Sequence, residues 1–260
     1  MFAINPFAAL SASMPPAVMQ SYIVIMVVLV AAGTLFDILH KGSARYFFDN
    51  LRRSKNKARQ LGSAELMTIA VQTAVVDVLA SGEFCNARRR VAHLLTMYGF
   101  VIHVVTTSIM VFVYPTLVTQ TPAIVPQLWW IGGLMVLAGG YWFWFFIRVD
   151  VAAEGRSAFR LVRADLFILS LLASVTLGLI WAYLQVIGAA AASVFFALHI
   201  IATTVLYGSV PWSKFAHMFF KPAAAFEKRV SEANGTRSNL PAPVDKPEQF
   251  GSARTSPRHY

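Results

Sequence analysis

Residues 91–114 read VAHLLTMYGFVIHVVTTSIMVFVY. The stretch has no Asp, Glu, Lys or Arg, and it carries two histidines, His93 and His103, ten positions apart. At a helical rise of about 1.5 Å per residue it is long enough to cross a hydrocarbon core of about 30 Å. Only a helix satisfies its own backbone hydrogen bonds in lipid at such a length. The stretch is therefore predicted to be a transmembrane helix holding two imidazoles about 15 Å apart along its axis.

The same signature extends outward along the chain. Residues 1–36, 91–147 and 166–213 contain no charged side chain. Of the 260 residues, 57% are hydrophobic and 13% charged, against about 25% charged in a soluble domain. Charge is costly in lipid, so blocks of this size belong there. Five spans are predicted, at about 17–39, 91–114, 127–147, 165–187 and 189–210. Pro115 closes the second, and Pro211 ends or kinks the fifth. The fold class is all-α, an integral membrane bundle.

Orientation follows from the loops. Segment 41–90 has ten Lys or Arg against four acids, segment 148–165 has four basic residues, and the tail from Lys214 has eight. The N-terminal stretch, the loop 115–126 and the turn near Gly188 have none. Basic loops stay inside. All three basic segments share one side when there are five spans, the N-terminus outside and the C-terminus cytoplasmic. Residues 1–222 thus read as a membrane domain with a cytoplasmic loop at 40–90, and 223–260 as a polar cytoplasmic tail too rich in Pro, Ser and charge to pack a core. Within the loop, AELMTIAVQTAVVDVLAS at 64–81 is predicted helical, with Leu66, Ile69, Val76 and Leu79 on one face. That helix reads either as lying along the membrane or as a docking face for a soluble subunit. The single cysteine, Cys85, excludes a disulfide framework and a four-cysteine cluster. Lipid is the expected environment, and no nucleic acid is expected as a partner.

Six histidines occur, and four of them form a pattern. The second span runs inside to outside and the fifth runs back. His93 then lies at the inner edge, and His103 about 15 Å further out. On the fifth span His199 lies about 15 Å below the outer end. His217 follows 18 residues later, at the inner surface, and 18 residues make five whole helical turns. His103–His199 and His93–His217 thus pair at two depths. A low-spin b-type haem takes two axial imidazoles, so these four side chains are the expected ligands of two b haems. A lone intramembrane histidine is more often an interhelical hydrogen-bond partner. No C-x-x-C-H is present, so no thioether attachment is expected.

At these residues the chain resembles the membrane gamma subunits of respiratory nitrate reductases and their relatives, over roughly residues 15–222. Both ligand spacings, ten and eighteen, are met. RRRVAHLLTMYGFVIHVVTT, HIIATTVLYGSVPWSKFAHMFFKP and LPAPVDKPEQFG resemble membrane subunits of quinone-interacting complexes in sulfur metabolism, adenylylsulfate reductase among them. The resemblance implies two haems b, a quinone or quinol as exchangeable substrate, and a cytoplasmic flavin and iron–sulfur oxidoreductase as partner, in a bacterial inner membrane. It implies an electron-transfer subunit rather than an enzyme alone, and no catalytic residue is assigned. No Lys or Arg occurs between Arg90 and Arg148, and Ile102 stands where the gamma subunits have Gly, so no quinone site is carried over.

On this reading Arg88, Arg89, Arg90, Lys214 and Lys221 flank the inner haem. They serve either as inside anchors or as partners of propionates and an acidic subunit. Tyr114, Gln120, Gln127, Trp129 and Trp130 read either as an interfacial belt or as a quinone head-group site. The competing functions are a haem-free membrane anchor for an oxidoreductase, a nitrate reductase gamma subunit, and a small transporter of neutral solutes.

Overall fold

A computed structural model describes residues 2–41, 60–82, 84, 86–148, 161, 165–210 and 217–235. Among them all regular structure is helical. The chain divides into two compact units, Met1–Asp37 with Val91–Ala216, and Ile38–Arg90 with His217–Tyr260.

The first unit opens with a short helix, α1 (Pro6–Leu10). Asn5 caps it, its Oδ1 accepting from the amides of Phe7 and Ala8 at 3.0 and 3.1 Å. Pro6 is suited to the first helical position because it has no N–H to leave unpaired. The other end of the Asn5 amide donates to the carbonyl of Tyr114 and the hydroxyl of Thr121, both at 3.0 Å. One side chain thereby starts α1 and ties it to the 114–121 loop.

α2 (Pro16–Lys41) follows. Its Gln20 donates to the carbonyl of Val111 at 3.1 Å, and its Tyr22 to that of Ile200 at 3.1 Å. Its remaining surface exposes Val24, Ile25, Val27 and Val28, an apolar face suited to lipid. The rest of the unit is built from α4 (Ala87–Phe112), α5 (Ile124–Trp142), α6 (Leu166–Val186) and α7 (Ala192–Gly208); α3 belongs to the second unit. A π-helical turn, Phe143–Ile147, extends α5.

Helices α4 and α5 approach to backbone contact. A Cβ on Gly99 would stand 2.7 Å from the Gly132 carbonyl oxygen, and one on Gly139 would stand 2.5 Å from that of Ala92. In lipid, where apolar burial drives little association, such close approach is how helices gain dispersion contacts.

Among the described residues four helices are long and apolar enough to cross a membrane: Pro16–Phe36, Ala87–Phe112, Ile124–Ile147 and Leu166–Val186. The chain is a multi-pass helical membrane protein on that ground. The segment expected as a fifth span forms the apolar helix Ala192–Gly208 of 17 residues. Its axis is about 26 Å long, short of a core of about 30 Å. It starts later than the apolar pattern does because Gly188 takes a left-handed φ of +69°, which ends α6 and delays helical geometry to Ala192. Pro211, Lys214 and Cys85 lie outside the described residues.

In the second unit α3 (Ser63–Gln72) runs on into a π-helical turn, Thr73–Leu79, and α8 (His217–Ala233) supplies the other helix. Arg229 grips Asp77 through two nitrogens, Nη2 to Oδ1 at 2.9 Å and Nε to Oδ2 at 2.5 Å. Of the four residues predicted on one face, Ile69 is buried but Val76 and Leu79 are exposed. The wider π turn rotates the face after Gln72, and Thr73, bonded to the Ile69 carbonyl at 2.8 Å, takes the buried place instead. The polar tail beyond residue 235 lies outside the described residues.

Candidate functional site

His103 sits on α4 with its side chain buried. Its Nδ1 lies 2.9 Å from the carbonyl oxygen of Trp129 on α5. A carbonyl only accepts, so Nδ1 carries the proton. In a neutral ring Nε2 is then the bare, electron-pair-bearing nitrogen. His199 on α7 repeats the arrangement, with Nδ1 2.8 Å from the carbonyl oxygen of Ser174 on α6. Both imidazoles are thus fixed in the tautomer that offers Nε2.

Aromatic rings flank both. The Trp129 indole stacks on His103 at 4.7 Å between centroids and 24° between planes. The Trp181 indole lies parallel to His199, 9° apart at 6.1 Å. Phe7 of α1 meets both tryptophans edge-on, at 6.0 and 5.1 Å. Five rings therefore run His103–Trp129–Phe7–Trp181–His199 across the unit. Leu179, beside Gly178 under His199, reaches Gly133, whose Cα faces the edge of the His103 ring.

The donor set fits a haem. Ligating histidines characteristically hold their second ring nitrogen on a carbonyl, which fixes ring orientation and raises the basicity of the ligating atom. Among the described residues no group of three or more His, Cys, Asp or Glu is gathered as a metal site. A porphyrin supplies four nitrogens of its own and asks the protein only for axial ligands.

His93 is half-buried on α4, directly after Ala92, whose carbonyl oxygen faces Gly139. His217 is the first residue of α8, and its side chain lies outside the described residues. These two fall in different units. Arg90, expected beside them, donates from Nε to the carbonyl of Ala80 at 2.8 Å.

Trp129 is no interfacial residue. It is 0% exposed, and Trp130 is buried beside it, whereas Gln120 and Gln127 are exposed and Tyr114 offers its carbonyl to Asn5. Sequence reasoning missed Phe7, Trp181, Ser174, Thr107, Thr203, Gly133 and Gly178. A signal for some of them existed, in His103–Thr107 and His199–Thr203 on one side and Trp129–Gly133 and Ser174–Gly178 on the other, all four residues apart.

Compared with known proteins, residues 1–238 match the family model described as citrate utilization protein B, or CitB. The chain belongs to the CitB family. No curated protein and no solved structure matches it. Both Nδ1-anchored histidines and the whole five-ring row lie inside the family's matched span.

Proposed function

We propose that this CitB-family protein is a dihaem b electron-transfer subunit, linking a quinone pool to a cytoplasmic oxidoreductase across a bacterial inner membrane. The observation that carries the reading is the twinned anchoring of His103 and His199, each with Nδ1 on a carbonyl and Nε2 left to ligate. On this reading five spans, Ala192–Gly208 being the fifth, set the N-terminus outside and these two histidines at one depth. His93 and His217 form the inner pair.

When bound, haem supplies reversible one-electron chemistry at its iron. The chain's part is to hold and insulate. His103 and His199 would hold the outer haem through Nε2, and Trp129, Trp181 and Phe7 would keep water from that level. Arg88, Arg89, Arg90 and Lys221 supply positive charge at the inner level, suited to propionates or to an acidic partner.

The partner is a soluble flavin and iron–sulfur oxidoreductase. The resemblance to sulfur-metabolism subunits favours adenylylsulfate reductase. The family's description, citrate utilization protein B, points instead to a partner in the use of citrate. The same membrane wire serves either. A pyridine haemochrome assay on the intact chain is the test of the core reading. Two b haems per chain are expected, and a folded chain without haem would leave the protein as a haem-free anchor.

A further inference from the structure

The two histidines share more than an Nδ1 bond. Thr107, four residues after His103, donates its hydroxyl to the His103 carbonyl at 2.7 Å. Thr203, four residues after His199, donates to the His199 carbonyl at 2.7 Å. A hydroxyl has one proton, so each threonine oxygen can only accept from elsewhere. Thr107 accepts from the indole Nε1 of Trp129 at 2.9 Å. Thr203 lies 2.6 Å from the Ser174 hydroxyl, which must therefore be the donor. The residue whose carbonyl holds the imidazole is thus also the residue whose side chain holds the threonine, in both places.

A third part completes the match. Four residues beyond each anchoring carbonyl stands a glycine, Gly133 after Trp129 and Gly178 after Ser174. A Cβ at Gly178 would stand 2.9 Å from Nδ1 and 3.0 Å from Cε1 of His199. At Gly133 it would stand 3.3 Å from Cε1 of His103, with the ends of Leu179 at 3.0 and 3.1 Å. Under His199 the first obstacle is thus the imidazole itself. Under His103 it is the tip of a flexible leucine.

We propose that Trp129–Thr107–Gly133 and Ser174–Thr203–Gly178 are matched cradles whose members are the positioning residues of the outer ligand pair, with the His199 cradle the more sensitive of the two. The proposal rests on the dihaem reading and adds which residues orient the ligands. The two cradles are built on hairpins read in opposite order, His then anchor in α4–α5, anchor then His in α6–α7. Each fixes its ring by a carbonyl and a glycine surface on the facing helix, and by a threonine on the histidine's own helix that is hydrogen-bonded across to the residue bearing that carbonyl. Trp129 itself stacks on His103 at 4.7 Å, whereas the indole parallel to His199, Trp181, stands further off at 6.1 Å and Ser174 has only its hydroxyl, so the His199 ring depends more on Gly178 and on Thr203.

The experiment uses the full-length chain in detergent, with haem content, visible spectrum and low-spin electron paramagnetic resonance read on each preparation. Gly178→Ala is expected to lose the low-spin signal of the outer haem, and Gly133→Ala to retain most of it. Thr203→Val and Ser174→Ala are expected to keep haem content but to shift the outer component's g-values and midpoint potential. Thr204→Val is the control: that hydroxyl bonds the Ile200 carbonyl at 2.8 Å and lies 3.0 Å from Tyr22, and it takes no part in the His199 cradle. It should leave both readouts unmoved. Should Gly178→Ala fail to fold, the Thr203→Val and Thr204→Val pair decides. Equal spectra for that pair, or an unchanged outer haem in a folded Gly178→Ala, overturns the cradles while leaving the dihaem reading intact. A wild-type chain without haem overturns both.

Discussion

The ring of Phe7 stands edge-on to Trp181, 5.1 Å between centroids, and the same ring meets Trp129 at 6.0 Å. Each tryptophan lies against one of the two anchored histidines. A five-residue helix near the start of the chain therefore supplies the middle ring of the row that the two histidines end. Aromatic edge contacts contribute about 0.5–1.5 kcal/mol each beyond buried area. Phe7→Ala should lower stability by about 1–3 kcal/mol on the two lost contacts. Thermal unfolding in detergent measures this. The outer spectral component should broaden because water gains access, and an unchanged melting temperature would show that α1 is not held by this ring.

The assignment of ligands predicts a pairing of losses. His103→Ala and His199→Ala should each remove the same haem and spare the other. His93→Ala and His217→Ala should both remove the second one. Redox titration of each variant separates the components. If His103→Ala and His93→Ala deleted one common component, the two-depth arrangement would be wrong.

Arg148 and Asp165 form a nearly buried ion pair in the first unit, with Nε donating to Oδ1 at 2.8 Å and Nη2 also bonded to Oδ2. The guanidinium lies over Trp144, 4.1 Å from its ring. The pair joins the end of the extended α5 to the start of α6. Removing one partner of a buried pair leaves a charge without compensation and costs about 3–5 kcal/mol, whereas replacing both with apolar groups is often near neutral. Asp165→Asn should therefore destabilise the chain more than Arg148→Met combined with Asp165→Leu. Denaturant titration of the three proteins checks the order, and additive losses would show that the pair is screened by water.

Much of this architecture is legible in the chain because lipid imposes a simple rule. Charge-free runs of twenty or more residues leave few alternatives to a spanning helix, and the four helices of crossing length fall where those runs are. Histidine spacing was visible for the same reason, since helical rise and rotation convert residue numbers directly into depth and face. The failures are all tertiary or local-geometric. Trp129 near a predicted helix end reads as interfacial, but Gly132 and Gly139 draw α4 against α5 and so bury its indole. The face of the 64–81 helix was misjudged because a π turn changes the residue period without a marker in a run such as Thr73–Leu79. The shortening of the fifth helix follows from one left-handed glycine, Gly188. Ser174 carries two hydrogen bonds to α7 that no local pattern could assign, since both depend on which helix stands opposite.

The last prediction concerns the cytoplasmic terminus of the wire. Outside the apolar helices, the sizeable described stretches are the helix pair α3 and α8 of the second unit, held by Arg229 on Asp77. Met67, Val71, Val75 and Leu79 are exposed there, four residues apart, and Arg88, Arg89 and Arg90 form the first turn of the second crossing helix. A docked subunit would meet an apolar row beside positive charge. If charge steers docking, association must weaken as salt rises, because the Debye length falls from about 10 Å at 0.1 M to about 3 Å at 1 M. If the apolar row holds the complex, dissociation should instead be slow and little affected by salt. Isolation of the solubilised chain from native membranes at low and high salt, with and without residues 236–260, distinguishes these; truncation there leaves α8, which ends at Ala233, intact. Recovery of a flavin and iron–sulfur enzyme of sulfur metabolism supports adenylylsulfate reductase as partner. A redox enzyme of citrate use supports the sense of the family's description, and a molybdenum nitrate reductase would make the chain a gamma subunit. A chain that retains both haems yet recovers no redox enzyme at low salt would break the circuit as drawn, since the inner haem would then have nothing to exchange electrons with.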